Sequence, residues 1–187
     1  MLLKIRFTHC LRYIYYMRII FIILFFPVIL SSQSRGTTDP RVSQEFMVER
    51  INELRQEGCS CSGRYMPPVE PIRWEEKLVQ SARIHAQKMH EYRFFAHIGP
   101  DGKDVGDRME RVGYRWQFAG ENLGEGQRHF MQVLKDWIKS PSHCKLLMDS
   151  RMEDMGIARK GKYWVQHFGK ALPKNMYRKN QRYSEGM

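Results

Sequence analysis

Residues 119–126 read AGENLGEG and set an acidic side chain, Glu121, among glycines and apolar neighbours, where a surface loop more usually carries scattered polar groups. A carboxylate so placed is a solvated turn residue, a helix cap, or one corner of a site completed from elsewhere in the chain. Upstream, "YRWQFAG" (114–120) has the aromatic content of a strand. Glu121 is therefore expected where a strand gives way to a loop, the kind of position at which function concentrates. Downstream, Phe130, Val133, Leu134, Trp137 and Ile138 form a broad apolar stripe at helical spacing. That helix stops at Ser140-Pro141, because proline disfavours helical backbone in the residue before it. Beyond it, "GIARKGKYWVQHFG" (156–169) holds two β-rich runs around Lys-Gly-Lys, a hairpin with Gly161 in its turn.

On the N-terminal side, Met47, Ile51 and Leu54 fall at helical spacing and Gly58 offers a stop, which predicts a helix over Pro40 to Glu57. The glycine and prolines of "CSCSGRYMPPVEPIRW" forbid a long regular element and predict an extended loop anchored by Val69 and Trp74. Leu78, Ala82, Ala86 and Met89 give a second helix over Trp74 to Tyr92 with a narrow, alanine-rich face suited to close packing. A short helix follows from Val105 to Val112, ended by Gly113. The pattern is three or four helices with a small antiparallel sheet, an α+β domain.

The first 34 residues differ from the rest. Lys4, Arg6, Arg12 and Arg18 precede the apolar run "IIFIILFFPVIL" and small polar "SSQS", the layout of a secretory signal peptide. The run is shorter than the roughly 20 apolar residues of a spanning helix, so an N-terminal membrane anchor is the alternative rather than the first reading. Either way the domain is expected outside the cytosol, secreted, extracellular or periplasmic. The formal charge of +11 falls to +7 without the leader, and to +3 without the segment 170–187, where five basic residues face one acid. No basic stripe with interleaved aromatics remains, so nucleic acid is not an expected partner. The basic tail is expected to be a solvated terminus, with an anionic envelope or lipid surface as the partner it would suit.

Export makes the cysteines interpretable, because thiols pair in oxidising compartments. With Cys10 in the leader, Cys59, Cys61 and Cys144 predict one bridge, from Cys59 or Cys61 to Cys144, and one free thiol. These three sulfurs lack the usual spacing of a zinc site. Cys144 as a nucleophile beside His143 is disfavoured, since adjacent residues rarely face each other.

His85 and His90 lie five apart on a helix and so point away from each other, unlike the paired ligands of a zinc helix. His85 is expected to be packed or capping and His90 solvated. His97 follows the aromatics of "RFFAH" at the edge of a Gly-Pro-Asp-Gly loop, and His143 follows a helix end in "SPSHC". His97, Glu121 and His143 are thus three ionisable groups at three element ends.

"FFAH", "GENLGEG", "DWIKSPSHC", "MGIA" and "YWVQHFG", in that order, closely resemble the CAP superfamily of cysteine-rich secretory proteins, antigen-five allergens and plant pathogenesis-related proteins. "MPPVEPIRW" and "SPSHC" are most similar to its bacterial secreted branch. The likeness covers residues 42–169, which a polar linker at 35–41 joins to the leader, and implies a three-layer α-β-α sandwich with a small central antiparallel sheet. It also implies a cavity in which two histidines hold a divalent cation such as zinc. Carried over, these are His97 and His143, with Glu121 as the accompanying acid. The family's animal-type members place a second acid three residues after a tryptophan; here Trp137 is followed at that position by Ser140, which lines the cavity instead. Glu125 and Asp104 are the acids at hand to replace it.

The function expected is that of an exported binding module with a His/Glu-lined, cation-capable cleft. Peptides, lipids or sterols, and cell-wall polysaccharides are the ligand classes the resemblance implies. The alternative is a metal-assisted extracellular hydrolase in which His97 and His143 hold zinc and Glu121 is the general base on bound water.

Overall fold

The computed structural model describes residues 40–173 and Met176. The leader, the linker up to residue 39 and most of the basic tail lie outside the described residues. Helix α1 (Pro40–Glu57) buries Ile51 and Leu54 and ends at Gly58, whose φ of +77° is left-handed backbone. A side chain at Gly58 would also put its Cβ 2.9 Å from the Met66 carbonyl oxygen. The segment expected to be an extended loop instead begins with a small hairpin, β1 (Cys59–Cys61) paired with β2 (Arg64–Met66). Its two turn residues, Ser62 and Gly63, both have positive φ, 49° and 89°. That backbone twist matches the twist of the flanking strands, which lets a two-residue turn close them.

The remaining elements are β3 (Arg73–Trp74), α2 (Glu76–Tyr92), α3 (Val105–Arg111), β4 (Trp116–Glu125), α4 (Phe130–Lys139), α5 (Pro141–Leu147), β5 (Asp154–Lys160) and β6 (Tyr163–Ala171). The sheet runs β3-β5-β6-β4; β5, β6 and β4 are antiparallel, and the short β3 adds a parallel edge. β6 continues to Ala171, two residues into the segment expected to be tail. Helix α5 was not anticipated. Pro141 ends α4, but it also opens a new helix, because the first helical position needs no N–H donor and proline's fixed φ suits it.

Alternation along the strands assigns the layers. Leu123, Tyr163 and Val165 pack with Ala82, Ala86 and Met89 of α2. Met155, Ile157, Trp164 and Phe168 pack on the opposite face with Ile51, Phe130, Trp137 and Leu147 from α1, α4 and α5. The result is the α-β-α sandwich. Helix α2 lies directly on β5: a Cβ at Gly156 would collide with the Val79 amide nitrogen and the Leu78 carbonyl carbon. Buried Arg55 ties the loops beneath α1, donating to the carbonyls of Glu70, Leu147 and Met152 at 2.8, 2.7 and 3.1 Å.

Candidate functional site

Glu121 lies within β4, not at its exit, because the ladder to β6 continues unbroken through Glu125. It pairs with His167 in register and faces the α2–α3 layer, and its side chain is 2% exposed. One carboxylate oxygen, Oε1, is 2.7 Å from Nδ1 of His97. The other, Oε2, takes Nη2 of Arg108 at 2.6 Å and Nε2 of His167 at 2.8 Å. Nε2 of His85 lies 3.8 Å from the same oxygen and donates to the Ala96 carbonyl at 2.9 Å.

The loop between α2 and α3 carries His97 and is clamped by these groups. Arg108 donates to the carbonyls of His97 and Lys103 at 3.0 and 2.8 Å. Its inward placement follows from the start of α3, where Asp104 and Asp107 close a reciprocal cap with hydrogen bonds of 3.0 and 3.1 Å. His143, half-buried on α5, comes from the opposite layer. Asn122, the neighbour of Glu121 that faces that layer, donates to the His143 carbonyl at 3.4 Å and to Gln166 Oε1 at 3.2 Å.

Electrostatics differ sharply among the four imidazoles. Burial works to raise the Glu121 pKa, yet hydrogen bonds from His167 and His97 and the charge of Arg108 outweigh it, so the carboxyl stays well below the usual carboxylate range. The hydrogen bond to Glu121 pushes His97 up, against its partial burial. Burial, followed by the charge of His97, pushes His143 down. Burial pushes His85 down to about 4 and also lowers His167. Nδ1 of both these rings is buried without a hydrogen-bond partner. Two neutral rings protonated at Nε2 account for both observations.

A neutral His97 that donates its Nδ1 proton to Glu121 leaves the Nε2 lone pair unused by that contact, on a side chain 60% exposed. That is the arrangement in which a carboxylate fixes the tautomer of a metal-binding histidine. His143, on which the charge of His97 acts, is the second imidazole of the candidate site. Among the described residues, the one group of three or more His, Cys, Asp or Glu ligand atoms close enough to share an ion is Cys59, Cys61 and Cys144. A bridge from Cys61 to Cys144 takes two of those sulfurs out of use as thiolates.

A family model described as the cysteine-rich secretory protein family, CAP, matches residues 48–168, well over half of the chain. The chain belongs to the CAP family. Its CAP domain is similar to the uncharacterized protein YkwD of Bacillus subtilis (strain 168), with 30% identity over 102 residues, 54% of this chain and 40% of that one. An uncharacterized membrane protein of the same organism, YlbC, is 27% identical over 97 residues, 52% of this chain and 28% of its own. The chain thus spans less than half the length of these relatives. Two solved structures share the fold at 22% identity and a TM-score of 0.60. One is an extracellular protein containing an SCP domain from Bacillus anthracis, covering 73% of this chain and 45% of that one. The other is an outer surface protein of Borrelia burgdorferi, covering 72% and 96%.

Within this CAP domain the expected residues separate. His97 meets Glu121 directly, and His143 stands on α5 in the other layer. Ser140 stands at the cap between α4 and α5, its Oγ 3.4 Å from Ser142 Oγ. Neither suggested replacement acid reaches the cluster: Asp104 caps α3, and Glu125 pairs with Lys162 at 2.6 Å. The bridge uses Cys61, and Cys59 Sγ lies 3.9 Å from Cys144 Sγ. No cysteine among the described residues is free, which corrects the expectation of one unpaired thiol. His85 is packed and His90 exposed, as their spacing suggested. Arg108 and His167 escaped the sequence reading. The ladder register that sets His167 opposite Glu121 is the signal that identifies it.

Proposed function

We propose that this CAP domain is an exported binding module in which His97 and His143 hold a divalent cation, zinc fitting best, and Glu121 orients His97. The observation that carries the reading is the divided use of the Glu121 carboxylate: Arg108 and His167 occupy Oε2, leaving Oε1 to His97. Neutral imidazole nitrogens suit zinc. A bound zinc supplies Lewis acidity and leaves coordination positions for a ligand's own oxygen or nitrogen. Export is supported by the leader's composition and by the extracellular and outer-surface neighbours. Among the described residues no helix is long and apolar enough to cross a membrane.

The hydrolase alternative asks Glu121 to take a proton from water. Its two oxygens are committed to three donors and its side chain is 2% exposed, so the geometry favours a positioning role over a base. Two histidines also fall short of the three protein ligands usual in catalytic zinc sites.

Calorimetric titration of zinc into protein purified without an affinity tag tests the proposal. Saturable binding is expected, abolished in His97→Ala/His143→Ala and weakened about 10–100-fold in Glu121→Gln. Equal affinity in the double variant would sink it. Zinc-dependent cleavage of a peptide or polysaccharide mixture, lost in the double variant, would favour the enzyme instead.

A further inference from the structure

We propose that a second hollow, at the far end of β4 from the histidine cluster, binds a small organic acid with a ring or compact apolar body. Glu125 marks its rim, four residues beyond Glu121 and so about 13 Å along the strand. The hollow is an open depression of about 470 Å³ between the end of α2 and the β5–β6 turn, within the size range of small-molecule sites.

Its lining divides into a flat apolar wall and one uncompensated cation. The Phe95 ring, 45% exposed, stacks on buried Tyr163 with centroids 6.2 Å apart and planes at 26°. Lys162 lies over the Tyr163 ring at 5.2 Å and is neutralised by Glu125 at 2.6 Å. Arg93 also lines the hollow, and its guanidinium has no carboxylate partner among the described residues. A guanidinium matches a carboxylate with two parallel hydrogen bonds.

The backbone of Arg93 points the same way. It caps α2 in the left-handed region, φ 54° and ψ 45°, a position at which glycine or asparagine is usual and a long side chain is strained. Strain retained at one residue points to a use for its side chain. Gly161, at φ +57°, lets the hairpin turn sit against α2, because a Cβ there would come 2.7 Å from His90 Nδ1.

The test uses the full domain, with N-acetyl-phenylalanine as probe and its amide as control, followed by calorimetry and by amide shifts in NMR spectra. The acid is expected to shift Arg93, Phe95 and Lys162 and to bind at least about tenfold more tightly than the amide, the effect of one charged hydrogen-bonding partner. Arg93→Gly relieves the strain, so its Tm should stay level or rise while acid binding falls about tenfold or more. Phe95→Ala should weaken both probes. Zinc binding at the histidine cluster should be unchanged in both variants. Equal affinity for acid and amide, undiminished binding in Arg93→Gly, or no binding of the acid at millimolar concentration would each overturn the proposal.

Discussion

Arg108 Nη2 stands 2.6 Å from Glu121 Oε2, with both side chains almost fully buried. Removing the guanidinium leaves the buried carboxylate with its two imidazoles but without its cation, and takes a donor from the carbonyls of His97 and Lys103. Arg108→Met is therefore expected to lower stability by about 3–5 kcal/mol, the usual cost of breaking a buried pair from one side. Adding Glu121→Gln should recover part of that loss, because the charge left without its cation is gone. Urea unfolding of the two variants checks this; a double variant less stable than Arg108→Met alone would contradict it.

The same cluster fixes a pH dependence. His85, lowered to about 4, and His167, also lowered, are neutral when folded but take up protons below about 6.5 when unfolded. The unfolded chain then binds more protons, so each contributes stability that falls as pH drops from about 6.5 towards the folded value, by up to about 1.4 kcal/mol per pH unit per group. Glu121, lowered as well, adds a loss beginning as pH falls below the ordinary carboxylate range. His97 is raised, so its contribution is full below about 6.5 and is lost as pH rises through its folded value. Stability should therefore fall on acidification, and His85→Gln should flatten the limb between pH 6.5 and 4. A limb of unchanged slope in that variant, followed by urea midpoints across pH, would count against the assignment.

Local chemistry made much of the fold legible. The bounds of α1 and the stop of α4 followed from apolar spacing with Gly58 and Pro141, and the β5–β6 hairpin from Gly161 between β-rich runs. Two features needed information no short window holds. Helix α5 hid behind the same proline that ends α4, since proline is both a stop and a first helical residue. The Glu121–His167 contact depends on ladder register, and a shift of one residue would turn His167 to the opposite face. Glu121 looked like a loop residue because the glycines around it suggest a turn. Gly120 and Gly124 are instead strand positions where Leu146 and Val133 press against the backbone.

Gly156 should be the least tolerant position in the sheet. Its missing side chain admits the backbone of α2 at Leu78 and Val79, and backbone cannot swing aside as a side chain end can. Gly156→Ala must push α2 off β5 and loosen Ala82, Ala86 and Met89 from β6. The expected loss is at the upper end of, or beyond, the roughly 1–3 kcal/mol of overpacking. A Tm within a degree or two of wild type by differential scanning calorimetry would show that α2 does not sit as close as described.

The Cys61–Cys144 bridge spans a sequence separation of 83 and joins the β1–β2 hairpin to the helix that carries His143. Its removal in Cys61→Ala/Cys144→Ala should cost about 2–5 kcal/mol, much of it through a less constrained unfolded chain. The folded site need not follow. Asn122 holds the His143 carbonyl and Leu147 is fully buried, so α5 keeps two ties to the core that do not involve sulfur. The double variant should therefore unfold at lower urea yet bind zinc, at temperatures where it remains folded, with nearly the affinity of wild type. Zinc affinity that collapses while the far-ultraviolet circular dichroism is unchanged would mean that the bridge, rather than β4, sets the position of His143.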